Sequence, residues 1–224
     1  MRPILAALRD DSTAAAARLF TDLAVEYLAA TTDRGQPVST PRTAAELAPR
    51  FDEPFPAQGR PLADIAARIA REVIPDSNRL CHPRYIGHQV SAPLPAAIWS
   101  EPLIAALNQS VAVWEMSPVA TLIEERVVAW MRELAGYGPG SGGTLTSGGT
   151  EATFTALLAA RAAVFPEAWG LGMHAAREGG PARPAIVCGE HAHYAIARAA
   201  GEMGIGVGNV ETVPSRDWRM DHAQ

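Results

Sequence analysis

The 224-residue sequence contains no lysine: all 19 of its strongly basic residues are arginine. Chemistry that needs a primary amine on a side chain has no group among these residues to work through. Cysteine is almost as scarce. Cys81 and Cys188 stand alone and far apart, which excludes a disulfide framework and agrees with a reducing compartment. A formal net charge of -5 with dispersed arginines leaves no basic footprint, so nucleic-acid binding is not expected. No apolar run is long enough to span a bilayer, and "MRPILAALRDDSTAAAARLF" is too acidic, with too short an apolar stretch, for a secretory signal. The expectation is a cytoplasmic protein that binds neither membrane nor nucleic acid.

With 48% hydrophobic residues, the chain can bury a sizeable core, as one large domain or one domain with an appendage. "STAAAARLFTDLAVEYLAA" reads as an amphipathic helix with Ser12 as N-cap and Leu19, Leu23 and Tyr27 on one face, Phe20 beside them. Residues 31–61, rich in Pro, Thr, Gly and Gln, read as an extended connector with at most one helical turn. A second helix is expected from Pro61, with a Leu62, Ile65, Ile69 and Val73 stripe ended by Pro75. Two such helices and a linker form little core, and they read as wrapping a partner surface. A third helix is expected over residues 96–107. A fourth has Ser117 as cap and Pro118 at its first position, with Leu122, Ile123, Val127, Trp130 and Leu134 pointing inward and Gly136 ending it. Residues 166–183 read as a polar surface excursion. Then "PAIVCG" reads as a strand, residues 194–203 as a helix and "NVETVP" as a strand, an order that implies a parallel sheet with crossovers. Asp221 reads as the N-cap of a further helix, so the chain is expected to stop partway through an α/β layer.

The stretch that carries chemistry is "LTSGGTEATFTALLAAR", where a Gly-Gly pair stands between a polar loop and an apolar helix. Small residues there let backbone N–H groups at a helix start approach an anion, although Gly-Gly is also a common way to turn a chain. The spacing matches neither a P-loop nor a Gly-x-Gly-x-x-Gly dinucleotide turn. "CGEHAHY" puts Cys188, His191 and His193 after a strand. That trio suggests zinc only if a further ligand comes from elsewhere, and the simpler reading makes Cys188 a small strand residue and His191 a surface one. His193, at the carboxyl end of a strand, is well placed to lie against a planar ligand. In "HPRYIGHQ", His82 and His88 read as loop packing, and Trp99, Trp114 and Trp130 read as core.

Taken in order, "HPRYIGHQVSAPLP", "ALNQSVAVWEMSPVATLIE", "GGTLTSGGTEATFTALLAAR", "IVCGEHAHYAIARAAGEMGIG" and "NVETVP" followed by "RMD" resemble the group II pyridoxal-phosphate-dependent amino-acid decarboxylases, over residues 60–224. That family includes the aromatic-amino-acid, glutamate, diaminobutyrate and cysteine-sulfinate decarboxylases. The resemblance implies an α/β fold of the aminotransferase-like, type I pyridoxal-phosphate class, truncated, with an N-terminal helical segment. It divides the chain into residues 1–80, a helical segment and linker serving as a dimer arm, and residues 81–224, the first part of the large cofactor-binding domain. It also implies pyridoxal 5′-phosphate as cofactor, an amino acid as substrate and a homodimer as the assembly. The cofactor phosphate would be held by Gly148, Gly149 and Thr150, with Ser147 as a further candidate, and the ring would be stacked by His193. His88 and Ser91 match positions in the substrate loop, which in the family meets the neighbouring subunit's site.

In the family, a lysine bonds the cofactor and an aspartate keeps its pyridine nitrogen protonated, both beyond the matched segments. Two readings follow. The chain is the N-terminal part of a decarboxylase whose lysine lies further along, inactive by itself, or it is a non-catalytic remnant or interaction subunit of the same fold. The residues here separate neither the amino-acid substrates nor decarboxylation from oxidative deamination.

Overall fold

A computed structural model describes residues 11–174, 184–221 and 223. The chain divides into two compact units, Met1–Asn108 and Gln109–Gln224.

In the first unit, helix α1 (Asp11–Thr31) packs on α3 (Leu62–Arg68). α1 already includes Ser12, so Ser12 is not its cap. The helix buries Ala16 and Thr31, with Phe20, Leu23 and Tyr27 partly covered between them, and Ala66 of α3 is the buried counterpart. Leu19 is left half-exposed, because the inward stripe follows Ala16, Phe20, Leu23 and Tyr27 at helical spacing, one residue round from it.

The connector is more ordered than its composition implies. Thr43 caps a single helical turn, α2 (Ala44–Leu47), in a capping box with Glu46, and a 3₁₀ turn (Ala48–Arg50) follows. Asp76 holds the connector in place: its carboxylate accepts from Thr40 Oγ1 at 2.5 Å and from the guanidiniums of Arg42 and Arg50 at 2.5 and 2.8 Å. Those bonds hold the Asp76 carboxyl below its ordinary value, the Thr40 hydroxyl first among them. Nearby, His82 is buried as a packing residue: its Nδ1 accepts the Arg84 N–H, and its Nε2 lies 3.1 Å from the Asp33 carbonyl.

Pro61 is the N-cap of α3 rather than its first residue, and the helix continues into a π turn (Ile69–Val73) and a 3₁₀ turn (Ile74–Asp76). Its expected core stripe is largely open: Leu62, Ile65 and Val73 are exposed, and Ile65, Ile69 and Val73 line a groove with Phe51 and Phe55. Helix α4 (Pro95–Leu107) ends the unit with Pro95 at its first position and Asn108 in the left-handed conformation, φ 45°.

In the second unit, α5 (Pro118–Leu134) starts at Pro118, but the buried Ser117 makes no side-chain cap bond. It ends as expected. Gly136 at φ 78° lets its own N–H reach the Glu133 carbonyl and the Tyr137 N–H reach the Arg132 carbonyl. The inward face expected for α5 is exposed at Leu122, Ile123, Trp130 and Leu134. Trp99, Trp114 and Trp130, expected in the core, are 45, 52 and 56% exposed.

Helix α6 (Gly149–Val164), the short α7 (Ala168–Leu171), strand β1 (Ile186–Gly189), helix α8 (Ala195–Glu202) and strand β2 (Val210–Val213) form the core of this unit. β1 and β2 pair in parallel, Ile186 opposite Val210 and Gly189 opposite Val213, as the strand–helix–strand order predicts. Ala199, Ala200 and Met203 at the end of α8 cluster with Ile205, Ala168 and Met173, and Phe154, Leu157 and Phe165 pack around them. Small residues let α8 settle close on its neighbours. The segment from 166 read as a surface excursion contributes Ala168 and Met173 to this core, and residues 175–183 lie outside the described residues. A hairpin, β3 (Ser215–Arg216) with β4 (Arg219–Met220), follows β2, and Asp221 accepts the Ala223 N–H at 3.1 Å.

Candidate functional site

The start of α6 is built from "TSGGTE". Gly148, in extended backbone at φ 173°, is the N-cap, and Gly149 is the first helical residue. The first bond into the helix runs from the Ala152 N–H to the Gly148 carbonyl at 3.0 Å. The N–H groups of Gly149, Thr150 and Glu151 therefore point out of the helix end, at the positive pole of its dipole. A methyl group added at Gly148 or Gly149 would meet no atom within 4 Å. The space in front of the pair is an open pocket of about 410 Å³, lined by Ser147, Gly148, Gly149, Thr150, Glu151, Phe154 and Glu202.

Two acidic residues, Glu151 and Glu202, line this pocket. The Glu151 carboxylate is engaged: it accepts the Ser147 N–H at 3.0 Å and the Ser147 hydroxyl at 2.5 Å. Those bonds hold the Glu151 carboxyl below its ordinary value, the hydroxyl contributing most. Sequence reasoning passed over both acids. Glu151 was detectable, since Ser-x-x-x-Glu is a capping box stretched by one residue; Glu202 reaches the site only through tertiary packing.

His193 follows β1 and precedes α8. Its Nδ1 accepts the Ala195 N–H at 3.2 Å, so in the neutral ring the proton sits on Nε2. The ring lies 4.1 Å from that of Tyr194, is exposed, and is not among the residues lining the glycine pocket. His191 is exposed, with its ring 5.4 Å from that of Trp218 and Nε2 3.8 Å from Glu190. Glu190 in turn accepts the Ser215 N–H at 2.6 Å, tying the hairpin to the end of β1. Among the described residues, no group of three or more His, Cys, Asp or Glu side chains is placed to hold a metal ion.

In the first unit, His88 and Ser91 lie in the loop before α4 with both side chains exposed, and the His88 carbonyl accepts the Val90 N–H at 2.7 Å. A methyl at Gly87 in this loop would come within 2.9 Å of the end of the Tyr85 side chain, which would have to shift.

A parallel strand–helix–strand unit packed beside a helix that opens on a glycine pair makes this an α/β protein with outward N–H groups of the kind that bind anions. Residues 45–224 match the pyridoxal-dependent decarboxylase conserved domain, and the chain belongs to that family. Over 165 residues it is 30% identical to L-2,4-diaminobutyrate decarboxylase of Acinetobacter baumannii, covering 70% of this chain and 32% of the relative. The structure of mouse CSAD superposes with a TM-score of 0.85 at 26% identity, over 95% of this chain and 43% of that one. The glutamate decarboxylase domain of a diaminobutyrate-pyruvate transaminase and L-2,4-diaminobutyrate decarboxylase from Vibrio parahaemolyticus gives 0.80 at 25% identity, over 94% and 46%. The fold is thus the aminotransferase-like, type I pyridoxal-phosphate architecture, with a helical segment at the N-terminus. The chain spans about a third of the length of the curated relatives it matches.

Whether these residues suit pyridoxal phosphate can be judged from the site. The outward N–H groups and the open space before Gly148 and Gly149 suit its phosphate. The amine that would bond its aldehyde is missing from the side chains of all 224 residues.

Proposed function

We propose that these residues form the phosphate-holding part of the active site of a pyridoxal-phosphate-dependent amino-acid decarboxylase, a carboxy-lyase that converts an L-amino acid to an amine and carbon dioxide. The observation that carries this reading is the start of α6, where outward N–H groups face open space across two glycines, in a chain of the decarboxylase family. Gly148, Gly149 and Thr150 hold the phosphate through backbone N–H groups and the threonine hydroxyl. His193 orients the cofactor ring, and the bond from the Ala195 N–H keeps the imidazole from turning. When bound, the cofactor supplies the electron sink for the charge left by loss of carbon dioxide.

His88 and Ser91 belong to a substrate loop that meets the amino acid in the partner subunit's site of a homodimer. Residues 1–80 are the dimer arm and residues 81–224 the first part of the large domain. A cytoplasmic location belongs to the same proposal. Among the described residues, no helix is long and apolar enough to cross a membrane. Without a lysine, the 224 residues are inactive alone.

The test is Gly149→Val. A Cβ there meets no atom within 4 Å, the branched side chain crowds the approach to the N–H groups, and circular dichroism of the variant checks that the fold is retained. Affinity for pyridoxal phosphate should fall by about tenfold or more, the scale of a lost hydrogen bond to a charged group. Affinity for unphosphorylated pyridoxal should not change. Equal affinity of wild type and variant for pyridoxal phosphate overturns the reading.

The missing lysine also favours a second reading, a non-catalytic remnant or interaction subunit of this fold. The mass of the native polypeptide separates the two. A value near 23.7 kDa favours the binding role, and a substantially larger one favours the enzyme.

A further inference from the structure

We propose that a cleft in the first unit, where Arg42, Arg50 and Arg71 come together, binds a phosphate dianion. The cleft has a volume of about 440 Å³, is otherwise lined by Glu72, Pro75 and Asp76, and shares no residue with the glycine pocket. The connector supplies Arg42 and Arg50, and the π and 3₁₀ turns that follow α3 supply the other four residues.

Charge favours an anion here. In a chain of formal net charge -5, the lining sets three guanidiniums against two carboxylates. Both carboxylates are shared between arginines: Asp76 accepts from Arg42 and Arg50, and Glu72 accepts from Arg71 at 2.7 Å and, on its other oxygen, from Arg68 at 2.8 Å. The nearby Glu46 is taken up by Thr43 in the capping box and does not line the cleft. The guanidiniums, by contrast, keep donors in reserve. Arg42 and Arg50 each spend only Nη1 on Asp76, and Arg71 spends Nε and Nη2 on Glu72. Among the described residues, Nε and Nη2 of Arg42 and Arg50 and Nη1 of Arg71 bond no protein atom.

The ion pairs that hold these side chains also prepare them. A free surface arginine loses rotamer freedom when it closes on a ligand, whereas these three are already fixed by the carboxylates behind them. Guanidinium forks pair with phosphate oxygens, and a tetrahedral phosphate offers an oxygen to each of the three. A carboxylate offers two.

The experiment titrates the protein with inorganic phosphate and with glycerol 3-phosphate at constant low ionic strength, following the arginine Nε–Hε signals by NMR. Arg71→Gln and Arg42→Gln each remove one lining charge, and Arg71→Gln leaves the Asp76 cluster intact. Arg60→Gln removes a half-exposed arginine outside the cleft, and Gly149→Val reports on the start of α6. Circular dichroism checks the fold of each variant. The expected result is saturable binding, weakened about threefold or more by Arg71→Gln and by Arg42→Gln, and unchanged by Arg60→Gln and Gly149→Val. Tighter binding of glycerol 3-phosphate then identifies the ligand as a phosphorylated small molecule, and binding of inorganic phosphate at least as tight identifies it as the free ion. Absence of saturable binding, or an equal loss in Arg60→Gln, overturns the proposal. Loss in Gly149→Val alone also overturns it, by assigning the phosphate to the glycine pair, and leaves the reading of that pair standing.

Discussion

The amide and the hydroxyl of Ser147 donate to the same oxygen of Glu151, four residues on, so the turn that carries the glycine pair is tied across to the first turn of α6. The Ser147 hydroxyl proton is committed to that carboxylate. It is the backbone of Gly149 and Thr150, held in place by this tie, that is left to meet an anion.

Cutting the tie tests its role. Glu151→Ala should weaken retention of pyridoxal phosphate several-fold, and Glu151→Gln, whose amide oxygen still accepts the Ser147 N–H, should restore most of it. Dialysis measures both. If Glu151→Ala binds as well as or better than wild type, the tie does not position the turn and the carboxylate acts only as a repelling charge.

The Asp76 cluster sets an acid limit on the first unit. Its carboxyl is held below its ordinary value in the folded chain, so the stabilisation is present above the unfolded value of about 3.9 and is lost as pH falls through the folded one. Thermal midpoints measured from pH 7 downward should drop most steeply below about pH 4. Asp76→Asn should lower the neutral-pH midpoint and flatten that drop. An unchanged profile would show that the three partners contribute nothing to stability.

Packing around α8 predicts two further costs. Met203→Ala, at a buried position in the core cluster, should destabilise the second unit by about 2–5 kcal/mol. Ala200→Leu, at a fully buried position, should cost about 1–3 kcal/mol through overpacking. Urea unfolding followed by circular dichroism checks both.

Gly136→Ala isolates a backbone term. A methyl there touches nothing within 4 Å, yet the residue sits at φ 78°. The expected loss is about 1–2 kcal/mol from the left-handed conformation alone. Gly138→Ala, where φ is not in that region and the surroundings are equally open, serves as the control.

The parallel β1–α8–β2 unit was legible because short apolar runs stood between turn signals, and the start of α6 because two glycines interrupt a polar-to-apolar boundary. The end of α5 was legible from Gly136 for the same local reason. What failed was the covering of helix faces. Periodicity reports that Leu122, Trp130 and Leu134 recur on α5, but whether another layer lies over them depends on contacts that spacing does not encode. Ala168 and Met173 failed in the opposite sense: they sit in a segment that reads as surface, and become core because α8 and the end of α6 close over them. Glu202 belongs to the glycine pocket only through the packing of α8 against α6, so its position in the chain carries no sign of it.

The convergence of Thr40, Arg42 and Arg50 on Asp76 has a consequence for protease sensitivity. All three donors lie in the connector and their acceptor ends the 3₁₀ turn that follows α3, so a nick between Arg42 and Arg50 leaves a donor on each side of the cut. Both new ends stay tethered to one carboxylate. A singly clipped chain should therefore migrate as two pieces in denaturant and as one particle in native buffer, where the packing of α1 on α3 adds to the tether.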